Sequence, residues 1–336
     1  MTRTQEGTSV SDCTNAAEAL INRLDRLHSA PQVAQQVVRL TKDPDFDVRD
    51  IVVCIQRDPA LTARVLAVVN SSRYALRNKA SNVKQAVNYL GPRTIRLITL
   101  TFGLVDSLSN GVSASVYQSY WRRALTIASL SSRLAEQRED VDADDAYTAG
   151  LLADVGVLVF AQFHTDQYSA LEESFTHGPE LIAAELFEFG VGHSMLGARL
   201  FEYWGVADDL VEAIEGHHLD DPVSESPLAL TVRTASHLAD AILTPQSESV
   251  LTAKTLLSEE FDLDTDAFID LVLNAEETIN REATEFSLGI GEPVDTQNLV
   301  DQAQRLFADA AFESAMDIDT LTATVDEFTT EPPTPW

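Results

Sequence analysis

Helix start and stop signals follow one another along most of this chain and leave little room for strands. Apolar residues recur at helical spacing over residues 16–27, and Asp58-Pro59 places a capping carboxylate directly before a proline at the first helical position. At Gly91-Pro92 one helix is expected to end and the next to begin within two residues. Because no strand-type alternation occurs in the first 110 residues, the sequence predicts an all-α fold.

Breaks in the helical pattern predict how the chain is organised. Residues 1–17 are polar and predict a flexible leader. Two helical lobes are expected at about 18–106 and about 115–243, and the apolar residues 146–163 predict the central helix of the second lobe. Beyond Pro245 the pattern stays helical but turns acidic, which predicts an acidic helical C-terminal extension at 246–315 and a disordered tail at 316–336.

The acidic composition restricts the classes of partner. The 336 residues include 23 Lys and Arg against 53 Asp and Glu, for a net charge of -30. A general nucleic-acid coat or a polybasic membrane anchor needs surplus positive charge, so neither is expected. No signal peptide is evident, and no apolar run reaches the roughly 18 residues of a membrane span. We therefore expect a soluble, cytoplasmic protein, whose acidity would also suit adaptation to salt.

The charge is distributed unevenly along the chain. Residues 51–100 hold eight basic residues and one acid, whereas residues 251–336 hold three basic residues and 20 acids. The candidate surface for an anionic partner comprises Arg64, Arg73, Arg77, Lys79, Lys84, Arg93 and Arg96. The alternative is a set of solvated helix faces that lack acids. Opposite charge also favours contact between the two regions, and one hypothesis is that the extension shields the basic stretch until a partner displaces it.

Three groups of motifs follow one another within residues 18–243. The first runs from Asp58-Pro59 through residues 86–91, the second is residues 149–156, and the third combines Phe189-Gly190-Val191 with His193 and His217-His218. Together they resemble the HDOD domain, the signalling-output offshoot of the HD phosphohydrolase superfamily. The resemblance implies a two-lobed helical architecture of the HDOD type.

The resemblance also implies a metal site that has lost ligands. The parent superfamily takes a His from an early helix, an adjacent His-Asp pair from the central helix and a later Asp. This chain has Ala153-Asp154 at the pair, and a methyl group cannot bind a metal. The early helix has Arg122-Arg123-Ala124 where the first His would lie. The sequence therefore predicts no catalytic residue, no bound metal and no cofactor.

If a metal bound at all, the remaining candidate ligands would be Asp154, His193, His217 and His218. Adjacent side chains on a helix project about 100° apart, so the two neighbouring histidines are not expected to chelate one ion. The simpler interpretation places the first histidine at a helix start and the pair at a helix end. Asp154 is expected to lie near Arg122 or Arg123, because an unpaired buried carboxylate is costly. Gly150 and Gly156 predict close helix packing on either side of it.

The leading functional hypothesis is a non-catalytic regulatory or scaffold protein of bacterial signal transduction. It would bind signalling proteins, or an anionic ligand or second messenger, through its degenerate HD-type domain. The alternative is a divergent metal-dependent phosphohydrolase acting on a nucleotide or cyclic dinucleotide. Nucleic-acid binding ranks last, because the basic stretch lacks interleaved aromatic residues on which bases could stack.

Overall fold

The computed structural model describes residues 10–27, 48–109, 111–175, 178–204, 206–219, 226–244 and 249–307. Within these ranges the chain is helical and contains no strand, which confirms the all-α prediction. The helices are α1 (Val10–Leu27), α2 (Val48–Gln56), α3 (Pro59–Val69), α4 (Val83–Leu108), α5 (Ala114–Ala135), α6 (Ala143–Leu152), α7 (Val155–Phe163), α8 (Thr165–Ser174), α9 (Pro179–Phe189), α10 (His193–Trp204), α11 (Asp208–Gly216), α12 (Pro227–Leu243), α13 (Ser249–Phe261), α14 (Thr265–Glu285) and α15 (296–307).

The helix boundaries agree with several of the sequence signals. The Asp58 carboxylate accepts a hydrogen bond from the Leu61 backbone N–H at 3.1 Å, as a capping residue does. α4 is kinked at Gly91, whose φ of 80° lies in the region that glycine tolerates best. The predicted break between two helices is therefore present as a kink within one helix.

Two sequence predictions need correction. α1 begins at Val10, so residues 10–17 of the predicted leader are helical, because Cys13 and Ala17 are buried in the core. The predicted central helix over 146–163 is interrupted at Ala153 and Asp154, which separate α6 from α7. The predicted tail at 316–336 lies outside the described residues, and the domain limits within the chain remain predictions.

α5 lies at the centre of the fold and packs against α6, α12 and α14. Its Tyr120 and Trp121 side chains are almost fully buried. The Trp121 ring stacks on Phe102 of α4, whose ring in turn meets Phe286 edge to face at 6.0 Å between centroids. Phe286 directly follows α14, so the acidic extension contributes to the same hydrophobic core as the two predicted lobes.

Arg122 of α5 holds the extension in place by polar contacts. Its side chain donates hydrogen bonds to the carbonyl oxygens of Ile290 at 2.7 Å and Gly291 at 3.2 Å. It also pairs with the Glu276 carboxylate of α14 at 3.3 Å. The extension is therefore anchored to the central helix by both apolar and charged groups.

The acidic extension also contacts the basic stretch. Glu285, the last residue of α14, accepts hydrogen bonds from the backbone N–H of Ser72 at 3.1 Å and from its hydroxyl group. Glu282 accepts a hydrogen bond from the buried Tyr147 hydroxyl at 2.8 Å, beneath the Arg73 guanidinium. The extension and the basic stretch are therefore in contact at this end of α14, although the hydrogen-bond partner of Glu285 is the uncharged Ser72.

Among the described residues, one helical stretch, Ala143–Phe163, is apolar and long enough to match a membrane span by length and composition. Its apolar 18-residue window is 89% buried inside the fold, as the core helices of globular proteins are. It comprises α6 and α7, which surround the candidate site.

Close backbone packing beside this stretch confirms the role expected of Gly150 and Gly156. A Cβ atom on Gly150 would lie 2.6 Å from the Ala128 Cα atom of α5. A Cβ atom on Gly156 would lie 2.1 Å from the His193 carbonyl oxygen at the start of α10. Only glycine allows these helices to approach so closely.

We expect Gly156→Ala to lower the free energy of unfolding by about 3 kcal/mol or more, because two backbones must separate to accept one methyl group. The matched control is Gly216→Ala in α11, where an added Cβ would meet no atom within 4 Å. That change should leave stability unaltered or raise it by less than about 1 kcal/mol. Urea unfolding measures both variants, and equal effects would contradict the packing argument.

Candidate functional site, a buried ion cluster

The interior brings together charged and imidazole groups from α5, α10 and α12, from the turn between α6 and α7 and from the end of α11. α5 provides Arg123, and the turn between α6 and α7 provides Asp154. α10 begins with His193, and α12 contributes Asp240 near its end. His217 and His218 follow the end of α11. Every one of these side chains is buried.

Arg123 is the centre of the cluster. Its Nε atom lies 2.7 Å from Asp154 Oδ2, and one terminal nitrogen pairs with the Asp240 carboxylate. The other terminal nitrogen donates to the Ser236 hydroxyl at 3.0 Å and lies 3.3 Å from His218 Nε2. The guanidinium therefore contacts both carboxylates and one imidazole of the site.

The second oxygen of Asp154 faces the other two histidines. Its Oδ1 atom lies 3.1 Å from His217 Nε2 and 3.4 Å from His193 Nε2. His217 is oriented by its other ring nitrogen, Nδ1, which lies 2.6 Å from the Ile214 carbonyl oxygen. Asp154 is thus surrounded by cationic and N–H groups, although it occupies a position that could cap α7.

Glu185 of α9 extends the cluster outward. Its Oε2 atom accepts a hydrogen bond from the His193 backbone N–H at 2.8 Å and lies 2.8 Å from His193 Nδ1. Its Oε1 atom accepts a hydrogen bond from the Tyr168 hydroxyl at 2.6 Å. Because Gly192 precedes α10 and offers no capping side chain, Glu185 satisfies an N–H group that the helix leaves free.

The charges of these groups follow from their surroundings. Burial alone would raise the pKa of Asp154, but Arg123 and the N–H groups of His193 and His217 hold that pKa well below its usual range. Burial would lower the pKa of His193, whereas Glu185 and Asp154 raise that pKa to about 10. His193 is therefore an imidazolium at neutral pH.

The pKa values of Asp240 and His218 shift in the directions that burial favours. Burial raises the pKa of Asp240, and Arg123 offsets only part of that shift. Burial lowers the pKa of His218 well below its usual value, and the neighbouring His217 and Arg123 add to the effect. His218 is therefore neutral.

Four residues of the cluster are close enough together to hold a metal ion, but the positive charges beside them disfavour one. One donor atom from each of Asp154, His193, His217 and His218 lies within 4.8 Å of the others. However, the Arg123 guanidinium already contacts Asp154 and His218, and a cation at these atoms would be repelled by it. A protonated His193 also has no free lone pair to donate. The cluster as it stands does not fit a divalent metal.

The structure shows how the two adjacent histidines are arranged and which arginine pairs with Asp154. His217 and His218 do not diverge: their ring centroids lie 4.1 Å apart, because the chain leaves α11 in a turn at these residues. The rings therefore lie closer together than the 100° projection of neighbouring helical side chains suggests, and the expectation that they do not chelate one ion stays a prediction. Of the two arginines considered for Asp154, Arg123 is the partner, whereas Arg122 contacts the extension.

The space beside the cluster is small. A cavity lined by Tyr120, Arg123, Asp154, Tyr168 and His218, among others, has room for about one water molecule. A nucleotide or cyclic dinucleotide needs hundreds of cubic ångströms. The cluster therefore admits no such ligand in this conformation.

The seven basic residues of the candidate surface differ in their environments. Arg73 pairs with Asp144 at 3.0 Å and lies over the Tyr147 ring at 3.7 Å, so it supports the fold and is not a free surface cation. Arg64 lies over the Phe102 ring. Arg77, Lys79 and Lys84 are exposed. The side chains of Arg93 and Arg96 lie outside what the structure describes.

The described residues form an all-α fold around a buried ion cluster. The family model for the HDOD domain matches residues 27–219, more than half of the chain. The chain belongs to the HDOD domain family.

The chain is also similar to part of a longer protein. An uncharacterized protein of Treponema pallidum (strain Nichols) is 25% identical over 229 residues, which cover 66% of this chain and 44% of that protein. This chain therefore spans less than half the length of that relative.

Solved structures with low sequence identity share the fold. An HDOD domain protein with unknown function from Geobacter sulfurreducens is 22% identical, with a TM-score of 0.62 over 83% of this chain and 100% of that one. A "Putative signal transduction protein" from Marinobacter aquaeolei VT8 has a TM-score of 0.60 at 22% identity, over 85% and 68% of the two chains. A "Putative phosphohydrolase" from Shewanella amazonensis SB2B has a TM-score of 0.57 at 19% identity, over 86% and 94%.

The protonated His193 makes stability depend on pH. A group whose pKa rises on folding stabilises the folded state fully below its unfolded pKa, and the contribution is lost as pH rises through the folded pKa. For His193 the window runs from about 6.5 to about 10. We expect the stability difference between the wild type and His193→Gln to shrink across this window, as measured by urea unfolding at several pH values. A difference that stays constant would show that His193 is neutral.

Proposed function

We propose that this protein is a non-catalytic regulatory protein of signal transduction, in which the former HD site has become a structural ion cluster. It acts by binding other proteins, not by hydrolysing phosphate esters. The HDOD family membership supports a role in signalling, and the proposal includes a soluble, cytoplasmic location. Support for the loss of catalysis comes from the cluster itself.

The observation that carries the proposal is the position of Arg123. A phosphohydrolase of the HD type uses its carboxylates and histidines to hold metal ions that activate water. Here a guanidinium contacts Asp154 at 2.7 Å and also pairs with Asp240, so both carboxylates are already neutralised by the protein. Ala153 supplies no ligand beside Asp154, and the adjacent space is too small for a substrate.

A hydrolysis assay tests this proposal. The purified protein is incubated with bis(p-nitrophenyl) phosphate or a cyclic dinucleotide, in the presence of Mn²⁺, Fe²⁺ or Mg²⁺. We expect the wild type, Asp154→Asn and the exposed control Asp140→Asn to show the same background rate. Hydrolysis by the wild type and by Asp140→Asn that is lost in Asp154→Asn would overturn the proposal.

One observation favours a second candidate, a divergent metal-dependent phosphohydrolase. Four potential donor groups lie within 4.8 Å of one another, which is close enough for them to hold a metal ion. For these groups to bind an ion, Arg123 would have to leave Asp154 and His193 would have to lose its proton. The assay above decides between the two candidates.

A further inference from the structure

An exposed basic surface lies apart from the ion cluster, in the first part of the chain. It consists of Arg77, Lys79 and Lys84, which we call the basic surface. Residues 59–105 contain no Asp or Glu, although the whole chain carries a net charge of -30. None of the three cations has an ion-pair partner among the residues that the structure describes. Within the part of the chain that the structure describes, these charges are therefore exposed and uncompensated.

The segment that carries the basic surface is held in a defined conformation. The Asn70 side chain bridges the loop between α3 and α4, because it donates to the Ala80 carbonyl at 2.9 Å and accepts from the Ala80 N–H at 2.7 Å. The start of α4 is capped by Asn82, which accepts from the Gln85 N–H at 2.9 Å. The cations are thus attached to an ordered backbone. Binding of a partner therefore does not carry the entropic cost of ordering the loop.

The same loop already binds carboxylates on one side. Glu285 of α14 accepts two hydrogen bonds from Ser72, and Asp144 pairs with Arg73. These two contacts are made within the chain and leave the basic surface open. Carboxylates of this chain therefore already bind to the loop, which supports a carboxylate as the group that a partner would provide.

We propose that the basic surface docks an acidic, extended segment of a partner protein. This proposal rests on the binding role proposed above and names the chemistry of the partner. All three cations are exposed, whereas sites for small anions bury most of their ligand, so a segment that spans several cations fits better. Tyr89 of α4, five residues after Lys84, is 47% exposed.

The observations favour a carboxylate-bearing peptide over a nucleic acid. Glu285 and Asp144 contact the same loop from α14 and α6 and would repel a long polyphosphate chain that extended past the three cations. Tyr89 is one exposed aromatic ring, whereas strands of nucleic acid need a series of stacking platforms. A short acidic segment need not extend to these two carboxylates, and it needs no stacking platforms.

The experiment uses the full chain and a fluorescein-labelled peptide of alternating Glu and Ser, with the Gln-Ser peptide of equal length as the matched control. Fluorescence anisotropy gives the dissociation constant. One variant reverses the basic surface with Arg77→Glu, Lys79→Glu and Lys84→Glu. A control variant makes the same change in charge at three other exposed cations, with Arg57→Glu, Arg281→Glu and Arg305→Glu.

We expect the Glu-Ser peptide to bind the wild type and the control variant, and to bind the reversed basic surface at least about tenfold more weakly. Added salt should weaken binding, and the Gln-Ser peptide should not bind. Absence of peptide binding, or equal loss in both variants, would overturn the proposal. Binding of a single-stranded DNA probe with the same dependence, and no binding of the peptide, would also overturn it in favour of nucleic acid. Phosphoester hydrolysis with unchanged peptide binding would refute only the proposed non-catalytic function.

Discussion

Replacement of Arg123 by methionine should lower the free energy of unfolding by about 3–5 kcal/mol, because it leaves buried carboxylates without their cation. Arg123 is 2% exposed and contacts both Asp154 and Asp240. The matched control is Arg199→Met, which removes partly exposed pairs with Glu202 and Glu215 and should cost about 1 kcal/mol or less. Chemical denaturation of both variants gives the two values.

A second variant separates lost charge pairing from lost packing. Adding Asp154→Asn and Asp240→Asn to Arg123→Met removes the uncompensated negative charge and should recover a large part of the lost stability. Replacement of a whole buried ion cluster by neutral groups is often tolerated, whereas removal of one member is not. If the triple variant is less stable than Arg123→Met, the cluster does not act through its charge.

Removal of the acidic extension should abolish cooperative unfolding. A chain that ends at residue 244 loses Phe268, Ile279 and Phe286, which are 3% exposed or less, and it uncovers the Trp121 region of α5. Each such aromatic side chain contributes about 3–5 kcal/mol when truncated in a core, which is comparable to the whole stability of a domain. The control chain ends at residue 307 and retains all the contacts described here. Thermal unfolding followed by circular dichroism distinguishes the two.

This expectation replaces the hypothesis of a displaceable shield. Charge alone suggested that deletion of residues 246–336 would strengthen partner binding by uncovering the basic stretch. The extension does contact that stretch through Glu285 and Ser72, but it is held by core packing and by Arg122. A short chain that unfolds cooperatively with wild-type stability would restore the earlier hypothesis.

Local sequence signals predicted the features that depend on neighbouring residues. The Asp58 cap, the break at Gly91 and the close packing at Gly156 each follow from a few residues and their backbone preferences. The helical pattern also predicted an all-α fold. The absence of the His-Asp pair at Ala153-Asp154 was equally visible.

The partners within the cluster were less predictable, because they are distant in the sequence. Asp240 lies 117 residues from Arg123, and no local signal marked it as a partner. Glu185 was also missed, although the absence of a capping side chain before His193 indicated that its N–H needed an acceptor. The convergence of His217 and His218 depends on a turn that helical geometry alone does not predict.

Metal stoichiometry tests the central claim most directly, namely that the cations of the protein have replaced the metal of an HD site. The full chain is incubated with Mn²⁺, Zn²⁺ or, under anaerobic conditions, Fe²⁺, then desalted and analysed by mass spectrometry for metal per chain, beside Asp154→Asn. The account predicts that both proteins retain the same small fraction of an ion per chain. Retention of one or more ions per wild-type chain, lost in Asp154→Asn, would contradict it.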